Sequence, residues 1–391
     1  MTELLFQSGT NRQLSLAELQ AVFGSRLQSL SPDFACLPVG ESADPALASR
    51  YQAILGGTPK IATPFDALPI NATDDQIINN LCKFFTQTDA HKVWLCLADW
   101  RHDGVPPLSL TDLKQALTAA GLSVRFSQTP RHGAGAALLT HRSRLQEIQL
   151  IPAGQRLLLA RTLTAQNIDD WTLRDRAKPY ADHRKGMLPP KLARIMVNLA
   201  LGEQVLADKP AFSLYDPFCG TGTVLLEAAA YAGQLTGSDL DVRAVMGTKD
   251  NLDWYRRQYQ AAVDATVFAR DFAQVRLADL NAGQRVTHLV TEPFLGKQTP
   301  RDSELPGVFR GLSKMYLGMF RHWRTLLADG ARLVVIFPRV TSRSGRTYHL
   351  DSLLDKLSAL GYTRTSSELI YARPGAIVER DVIVFSYQEG K

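Results

Sequence analysis

An apolar stretch, Ala211 to Tyr215, runs into Asp216-Pro217-Phe218-Cys219-Gly220-Thr221-Gly222-Thr223 and then into a helical run from Val224 to Ala232. A strand that ends this way places two glycines where backbone must approach a ligand closely, because a Cβ there would block the approach. A dinucleotide-binding GxGxxG turn would need glycine at position 225, which is Leu225. Asp216 argues in the same direction, since a carboxylate at the turn repels phosphate and attracts an amine or a hydroxyl. A nucleoside bearing an amino acid suits this turn better, and the expected cofactor is S-adenosyl-L-methionine. Cys219 reads as a small packing residue contributing backbone, because no base partner accompanies it.

Two further acids fall on strand ends. Asp239 follows Asp216 by 23 residues, close to the step of roughly 20 at which an acid at the tip of a second strand meets a ribose diol. One carboxylate accepts from both hydroxyls at once; Leu240 would then lie against the adenine. The alternative is a surface Asp after a strand. Asp241 reads as the cap of the helix beginning at Val242. In Arg270-Asp271-Phe272, Asp271 is expected to accept from the adenine amino group while Phe272 offers its backbone N–H; helix capping is the alternative.

The strand over 286–291 runs into Thr291-Glu292-Pro293-Phe294-Leu295-Gly296-Lys297. Methylation of an amino group needs a base held with its exocyclic nitrogen facing the methyl donor. An aromatic ring stacks the base, and acceptors beside a rigid proline take the amine's hydrogen bonds. Thr291, Glu292, Pro293 and Phe294 supply hydroxyl, carboxylate, proline and ring, and are the candidate catalytic residues. A strand that merely ends in a proline turn is the alternative. His288, among apolar neighbours, reads as a core histidine.

Around these residues, apolar strands and helices alternate from Gly186 onward: strand 211–215, helix 223–232, strand 234–239, helix 242–259, strands 265–269 and 286–291, helix 312–328, strand 331–337, helix 351–360 and extended segments 363–371 and 379–387. Such alternation implies a mostly parallel sheet with helices on both faces and ligands at the strands' carboxyl ends. Before it come a strand at Leu4–Phe6, a helix Leu16–Phe23 with Ser15 as cap and Glu18 completing a capping box, a break at Gly56–Pro59, and helices at 75–85 and 111–120. Strands follow at 93–98, 123–126 and 156–163, and a polar connector at 169–185.

The chain of 391 residues is long enough for two or three domains, and 45% hydrophobic with 21% charged residues is ordinary globular composition. Neither a membrane-length apolar run nor a signal-like N-terminus is seen. Cys36, Cys82, Cys96 and Cys219 form no CxxC pair, which argues against a zinc site or disulfide framework and for a reducing cytoplasm. Residues 1–150 hold 12 basic and 13 acidic side chains; the remainder holds 32 and 25, a surplus compatible with a nucleic-acid substrate. Arg125, Arg131, His132, His141, Arg142 and Arg144 are locally basic, an RNA-facing surface or a solvated face.

Asp216–Thr223, Asp239 and Thr291–Gly296 resemble the Rossmann-like S-adenosylmethionine-dependent methyltransferases that act on amino groups. Arg174-Asp175-Arg176 and the run Gly186-Met187-Leu188-Pro189-Pro190-Lys191-Leu192-Ala193-Arg194-Ile195-Met196 resemble the stretch entering the catalytic domain of THUMP-domain tRNA guanosine-10 N2-methyltransferases. Ser8–Asn11 with Leu14–Leu19 resembles that family's opening, and Glu368–Gly375 its close; the resemblance is weakest around 30–110. It implies an α/β chain: a seven-stranded, mostly parallel Rossmann-like methyltransferase domain (186–391) after an α+β region. That region would comprise a ferredoxin-like piece (1–56), a THUMP-like RNA-binding domain (57–150) and a linker (151–185). It further implies that Asp216, Phe218 and Gly220 to Gly222 line the methionine moiety, Asp239 the ribose, and Asp271 and Phe272 the adenine. Leu188 and Pro189 would lie near the cofactor, and Cys219, Thr221 and Thr223 complete the turn.

The activity implied is methyl transfer to the N2 amine of a tRNA guanosine. The family's run is Asp-Pro-Pro-Tyr/Phe, however. Aligned by the aromatic, Thr291 replaces its Asp; aligned by Gly296, Glu292 does. A displacement of about 1 Å in such a site costs roughly 10²-fold in rate. Ribosomal RNA or DNA as substrate, and a cofactor-binding RNA-binding protein with a degenerate motif, are the alternatives. Whether a small activating protein partner is required is not shown by sequence.

Overall fold

A computed structural model describes residues 2–390 except 41–42, 89–90, 103, 183–185, 209–210 and 374. The chain forms two compact units, Met1–Arg12 with Ser25–Trp171, and Gln13–Gly24 with Thr172–Lys391. Among the described residues no helix is long and apolar enough to cross a membrane. The four cysteines are free.

The first unit is built on an eight-stranded mixed sheet. From one edge the strands are Gln28–Ser31, Phe34–Pro38, Glu3–Gln7, Lys60–Pro69, Arg156–Ala165, Leu145–Ala153, Lys92–Asp99 and Ser123–Phe126. Strand alternation sends Leu157 and Leu159 into a cluster with Ile77, Leu81 and Phe85 of helix Asp74–Thr86 and with Leu113 and Leu117 of helix Leu110–Ala119. Leu158 and Ala160 enter the opposite cluster, with Leu5, Phe34 and Ile151. Arg131 donates to the carbonyls of Arg101, His102 and Val105 at 3.0, 3.1 and 2.8 Å, so this guanidinium ties a loop together.

Several expected boundaries are corrected here. Arg156–Ala165 is no part of a linker: it pairs with Lys60–Pro69 on one side and Leu145–Ala153 on the other. An apolar run buried on both faces carries no local sign of its partners, which is why its membership was hidden. Segments 1–56 and 57–150 share this one sheet, through Leu5 and Phe6 opposite Ala62 and Ile61. The expected connector contains a helix, Ile168–Arg176; its residues 183–185 lie outside the described residues. The first helix begins at Arg12, so Ser15 and Glu18 are buried within it and form no capping box. Glu18 Oε1 instead accepts from Asn198 Nδ2 at 2.6 Å, inside the second unit.

In the second unit, counting its strands separately, β1 is Ser213–Asp216, β2 Gln234–Asp239, β3 Asp264–Ala269, β4 Val286–Thr291, β5 Leu327–Thr341, β6 Tyr362–Arg364 and β7 Val378–Tyr387. Their order is 3-2-1-4-5-7-6, and the two-residue strands Thr347–Tyr348 and Ile370–Tyr371 add to β5 and β7. Pairs from β3 through β5 are parallel, and β7 is antiparallel to both neighbours. The expected seven-stranded, mostly parallel α/β sheet is therefore present. Strand order reverses between β1 and β4, and a crevice opens there beyond the carboxyl ends.

Helix Leu305–Trp323 covers β4, β5 and β7 with Leu305, Phe309, Leu312, Tyr316, Met319, Phe320 and Trp323, spaced four, three, four, three, one and three residues apart. It begins seven residues earlier than the spacing predicts. Pro306, Gly307 and Gly311 resemble breakers, but proline is compatible with a first turn, and burial of Leu305 and Phe309 decides the matter.

Candidate active site

The turn after β1 is left-handed at two points, Gly220 (φ +52°) and Gly222 (φ +77°). A Cβ on Gly222 would lie 2.7 Å from Thr248 Cγ2, so this site requires glycine on both counts. Helix Val242–Tyr259 holds the turn from beneath. Thr248 Oγ1 donates to the Gly220 carbonyl at 2.9 Å, and the buried Asn251 Nδ2 donates to the Thr221 carbonyl at 2.8 Å. Asn251 also clasps the backbone of Tyr180, accepting from its N–H at 2.8 Å and donating to its carbonyl at 2.9 Å. Segment 178–182 is thereby tied to the turn. Thr248 and Asn251 are polar residues on the buried stripe of their helix, a signal that sequence inspection had passed over.

Asp239, at the tip of β2, accepts from the Gly220 N–H (3.0 Å) through one carboxylate oxygen and from the Asp241 N–H (2.9 Å) through the other. Each oxygen keeps lone-pair capacity for a ligand. Asp241 caps Val242–Tyr259 as expected, accepting from Arg243 N at 2.9 Å. Asp216 is 2% exposed and accepts from Thr291 Oγ1 at 2.7 Å. Burial pushes its carboxyl up to about 7, against the Thr291 and Phe218 hydrogen bonds, with the charges of Asp239 and Glu292 adding to the rise. Burial likewise holds the Cys219 thiol protonated.

These groups open on one cleft of about 920 Å³. Of the residues expected at a cofactor, Leu188, Asp216, Phe218, Cys219, Gly220, Thr221, Thr223 and Asp239 line it. Pro189, Gly222, Leu240, Asp271 and Phe272 are not on its wall. Leu240 is 74% exposed. Asp271 accepts from Ala273 N at 2.9 Å through one carboxylate oxygen, the contact of a helix cap, and the Phe272 ring sits 5.6 Å from that of Phe218.

The end of β4 places the residues of the candidate catalytic run differently. Thr291 is fully buried with its hydroxyl committed to Asp216, whereas Glu292, Pro293 and Phe294 line the cleft. Glu292 Oε1 accepts from Arg380 Nε at 2.6 Å. Burial raises the Glu292 carboxyl, and Arg380 opposes that rise. Phe294 is 61% exposed. Arg380 belongs to β7 and was not foreseen, nor were Tyr180, Asp182 and the lining segment from Arg373 to Arg380. Arg373 Nη2 donates to the Met187 carbonyl at 2.7 Å, joining the closing run to the one entering the domain. Pro374 of that closing run lies outside the described residues.

Sheet order, glycine turn and three strand-tip carboxylates define a Rossmann-like methyltransferase domain. A family model described as RMKL-like, methyltransferase domain, matches residues 179–342. The tRNA (guanine(10)-N2)-dimethyltransferase of Methanothermobacter thermautotrophicus is 30% identical over 174 residues, 44% of this chain and 42% of that one. Its counterpart in Methanocaldococcus jannaschii is 34% identical over 33% of this chain and 35% of that one. The chain thus spans less than half the length of these two curated relatives. A protein of Methanothermococcus thermolithotrophicus named "Probable tRNA (guanine(10)-N2)-dimethyltransferase" is 34% identical over 122 residues, 31% of this chain and 70% of that one. The crystal structure of TrmN from Thermus thermophilus shares the fold along 99% of this chain and 100% of that one, at a TM-score of 0.54 and 16% identity. The chain belongs to the tRNA guanine-N2 methyltransferase family.

Proposed function

We propose that this protein transfers a methyl group from S-adenosyl-L-methionine to the exocyclic N2 of a guanosine in tRNA, guanosine 10 being the position named in its relatives. The observation that carries the reading is the convergence of Asp216, Asp239, Glu292 and Phe294 on one cleft beside a turn that excludes side chains. Three acids suit an ammonium, a ribose diol and an amine, and disfavour a phosphorylated ligand. The Gly220–Gly222 cradle admits close backbone contact.

When bound, the cofactor supplies an electrophilic methyl carried on a sulfonium. Asp216 receives the ligand's ammonium and Asp239 its ribose hydroxyls. Phe294 stacks an extruded guanine at the mouth, with Ile377, 44% exposed, on the same lining. Glu292 Oε1 is held by Arg380, leaving Oε2 to accept from the N2 amine and to take the proton released on methylation. Pro293 keeps carboxylate and ring in fixed relation.

The first unit is assigned the RNA grip of a THUMP-like module with its ferredoxin-like neighbour, working in the cytoplasm. Support comes from Trp94, whose ring faces the guanidinium groups of Arg125 and Arg142 at 5.0 and 5.1 Å, both exposed. A second reading, cofactor binding without turnover, draws on the Arg380 ion pair claiming the one carboxylate that faces the base. Nucleoside mass spectrometry of tRNA from cells with and without the protein tests the first reading, expecting loss of N2-methylguanosine in the latter. Labelled cofactor and unmodified tRNA separate the two: tight cofactor binding with no incorporation favours the second, and incorporation into ribosomal RNA or DNA alone overturns tRNA as substrate.

A further inference from the structure

We infer that Lys178 directs a hydrogen-bond relay, Lys178 to Thr223 to Thr221, whose last hydroxyl donates to the carboxylate at the amino-acid end of the cofactor. The inference rests on the cofactor reading above and assigns the subsite opposite the acids.

Lys178 is 4% exposed, and its Nζ donates to Thr223 Oγ1 at 3.2 Å. Thr223 Oγ1 lies 3.3 Å from Thr221 Oγ1, and both threonines line the cleft although they are only 5% and 8% exposed. An ammonium has three donors and no acceptor, so Thr223 Oγ1 is the acceptor at the buried end. Thr223 accepts there and keeps its own proton, which in the relay goes onward to Thr221. Thr221 then accepts in turn and presents its proton to the cleft. A chain that ends in a donor and begins in a cation calls for an anion.

The charges around the turn agree. Glu227, buried beneath it, accepts from Arg174 Nε at 2.8 Å and from Arg194 Nε at 2.9 Å, so its charge is already shared by two guanidinium groups. Burial lowers the Lys178 ammonium, and the charges of Asp175 and Glu227 oppose that fall. Asp216 and Asp239 are the acids on the other part of the cleft, where Glu292 is paired with Arg380. A cleft with a donor-terminated side and an acidic side matches a zwitterion, its ammonium at Asp216 and its carboxylate at Thr221. Lys178 touches no ligand in this scheme. It is a positioning residue, and the clasp of Asn251 on Tyr180 fixes the chain two residues away.

Calorimetric titration separates the carboxylate from the rest of the ligand. The probes are S-adenosylhomocysteine and its decarboxylated counterpart, which keeps adenosine, thioether and amine. Lys178→Met is expected to weaken S-adenosylhomocysteine about tenfold while changing the decarboxylated compound less than about twofold, as loss of a charge-assisted contact requires. Thr223→Val should show the same selectivity, Thr223→Ser should keep wild-type discrimination, and the Lys178→Met/Thr223→Val double variant should be no weaker than either single one. Equal losses for both probes would mean a merely structural lysine and overturn the relay, as would unchanged discrimination in Lys178→Met and Thr223→Val. Failure of wild-type protein to bind S-adenosylhomocysteine would overturn the cofactor reading itself, a different result from either.

Discussion

Glu292, at the end of β4, and Arg380, on β7, form an ion pair of 2.6 Å on the wall of the cleft, with side chains only 16% and 12% exposed. The pair joins residues 88 positions apart in the chain. Arg380 opposes the rise that burial imposes on the Glu292 carboxyl.

Removing one partner of such a pair leaves the other charge uncompensated. Arg380→Met is therefore expected to raise the Glu292 carboxyl further and to move the acidic limb of the methylation pH profile upward. Glu292→Gln should lower kcat by about 10²-fold, a typical loss for a general base, with S-adenosylhomocysteine affinity within about twofold of wild type. An unshifted pH profile in Arg380→Met, measured by labelled methyl incorporation, would show that the pair does not govern the charge of Glu292.

Asp216 titrates in the folded protein at about 7, above the ordinary value of 3.8. Between these values the folded state holds a proton that the unfolded chain has released. Stability from this group is thus fully present below about pH 4 and is lost as pH rises through about 7, by up to about 1.4 kcal/mol per pH unit. Urea unfolding of the ligand-free protein from pH 4 to 8 should show this decline. Asp216→Asn should flatten it, and an equal slope in the variant would refute the assignment.

Asp239 and Phe294 are expected to divide binding from turnover. Asp239→Ala removes the acceptor for the Gly220 N–H together with the proposed ribose contact, and should weaken S-adenosylhomocysteine at least about tenfold, the scale of a charged hydrogen bond. Phe294→Ala alters an exposed ring, so stability should change by no more than about 0.5 kcal/mol. Its cofactor affinity should hold while kcat falls. Calorimetry and steady-state kinetics on the two variants check the division, and equal cofactor affinity for Asp239→Ala and wild type would count against the ribose role.

Glu227 is fully buried between Arg174 and Arg194. Glu227→Gln leaves two buried guanidinium groups short of their anion and should destabilise the protein by about 3–5 kcal/mol. Chemical denaturation measures this directly; a loss below about 1 kcal/mol would mean that the cluster relaxes on its own.

Much of the site was legible along the chain because its signals are local. The Asp216–Thr223 turn follows from glycine chemistry at a strand end, the strands at 234–239 and 286–291 from apolar runs, and Asp241 from the rules of helix capping. Asp271 shows the limit of such reasoning. A carboxylate at a strand end can serve a ligand, its own backbone or both, and only the folded chain shows that Asp271 accepts from Ala273 N.

The sequence by itself determined the turn that excludes side chains, the acids at the strand tips and the alternation that builds a mostly parallel sheet. Each of these depends on residues within a few positions of one another. Tertiary structure alone decided which residue of the Thr291–Phe294 run faces the cleft, because Thr291 turns inward to Asp216 and Glu292 outward to Arg380. It also decided that Glu18 serves Asn198 instead of its own helix, and that Lys178 lies beside Thr223. Those pairings span 75, 88, 180 and 45 residues, and such distances are bridged by strand order and helix packing, which no local pattern encodes.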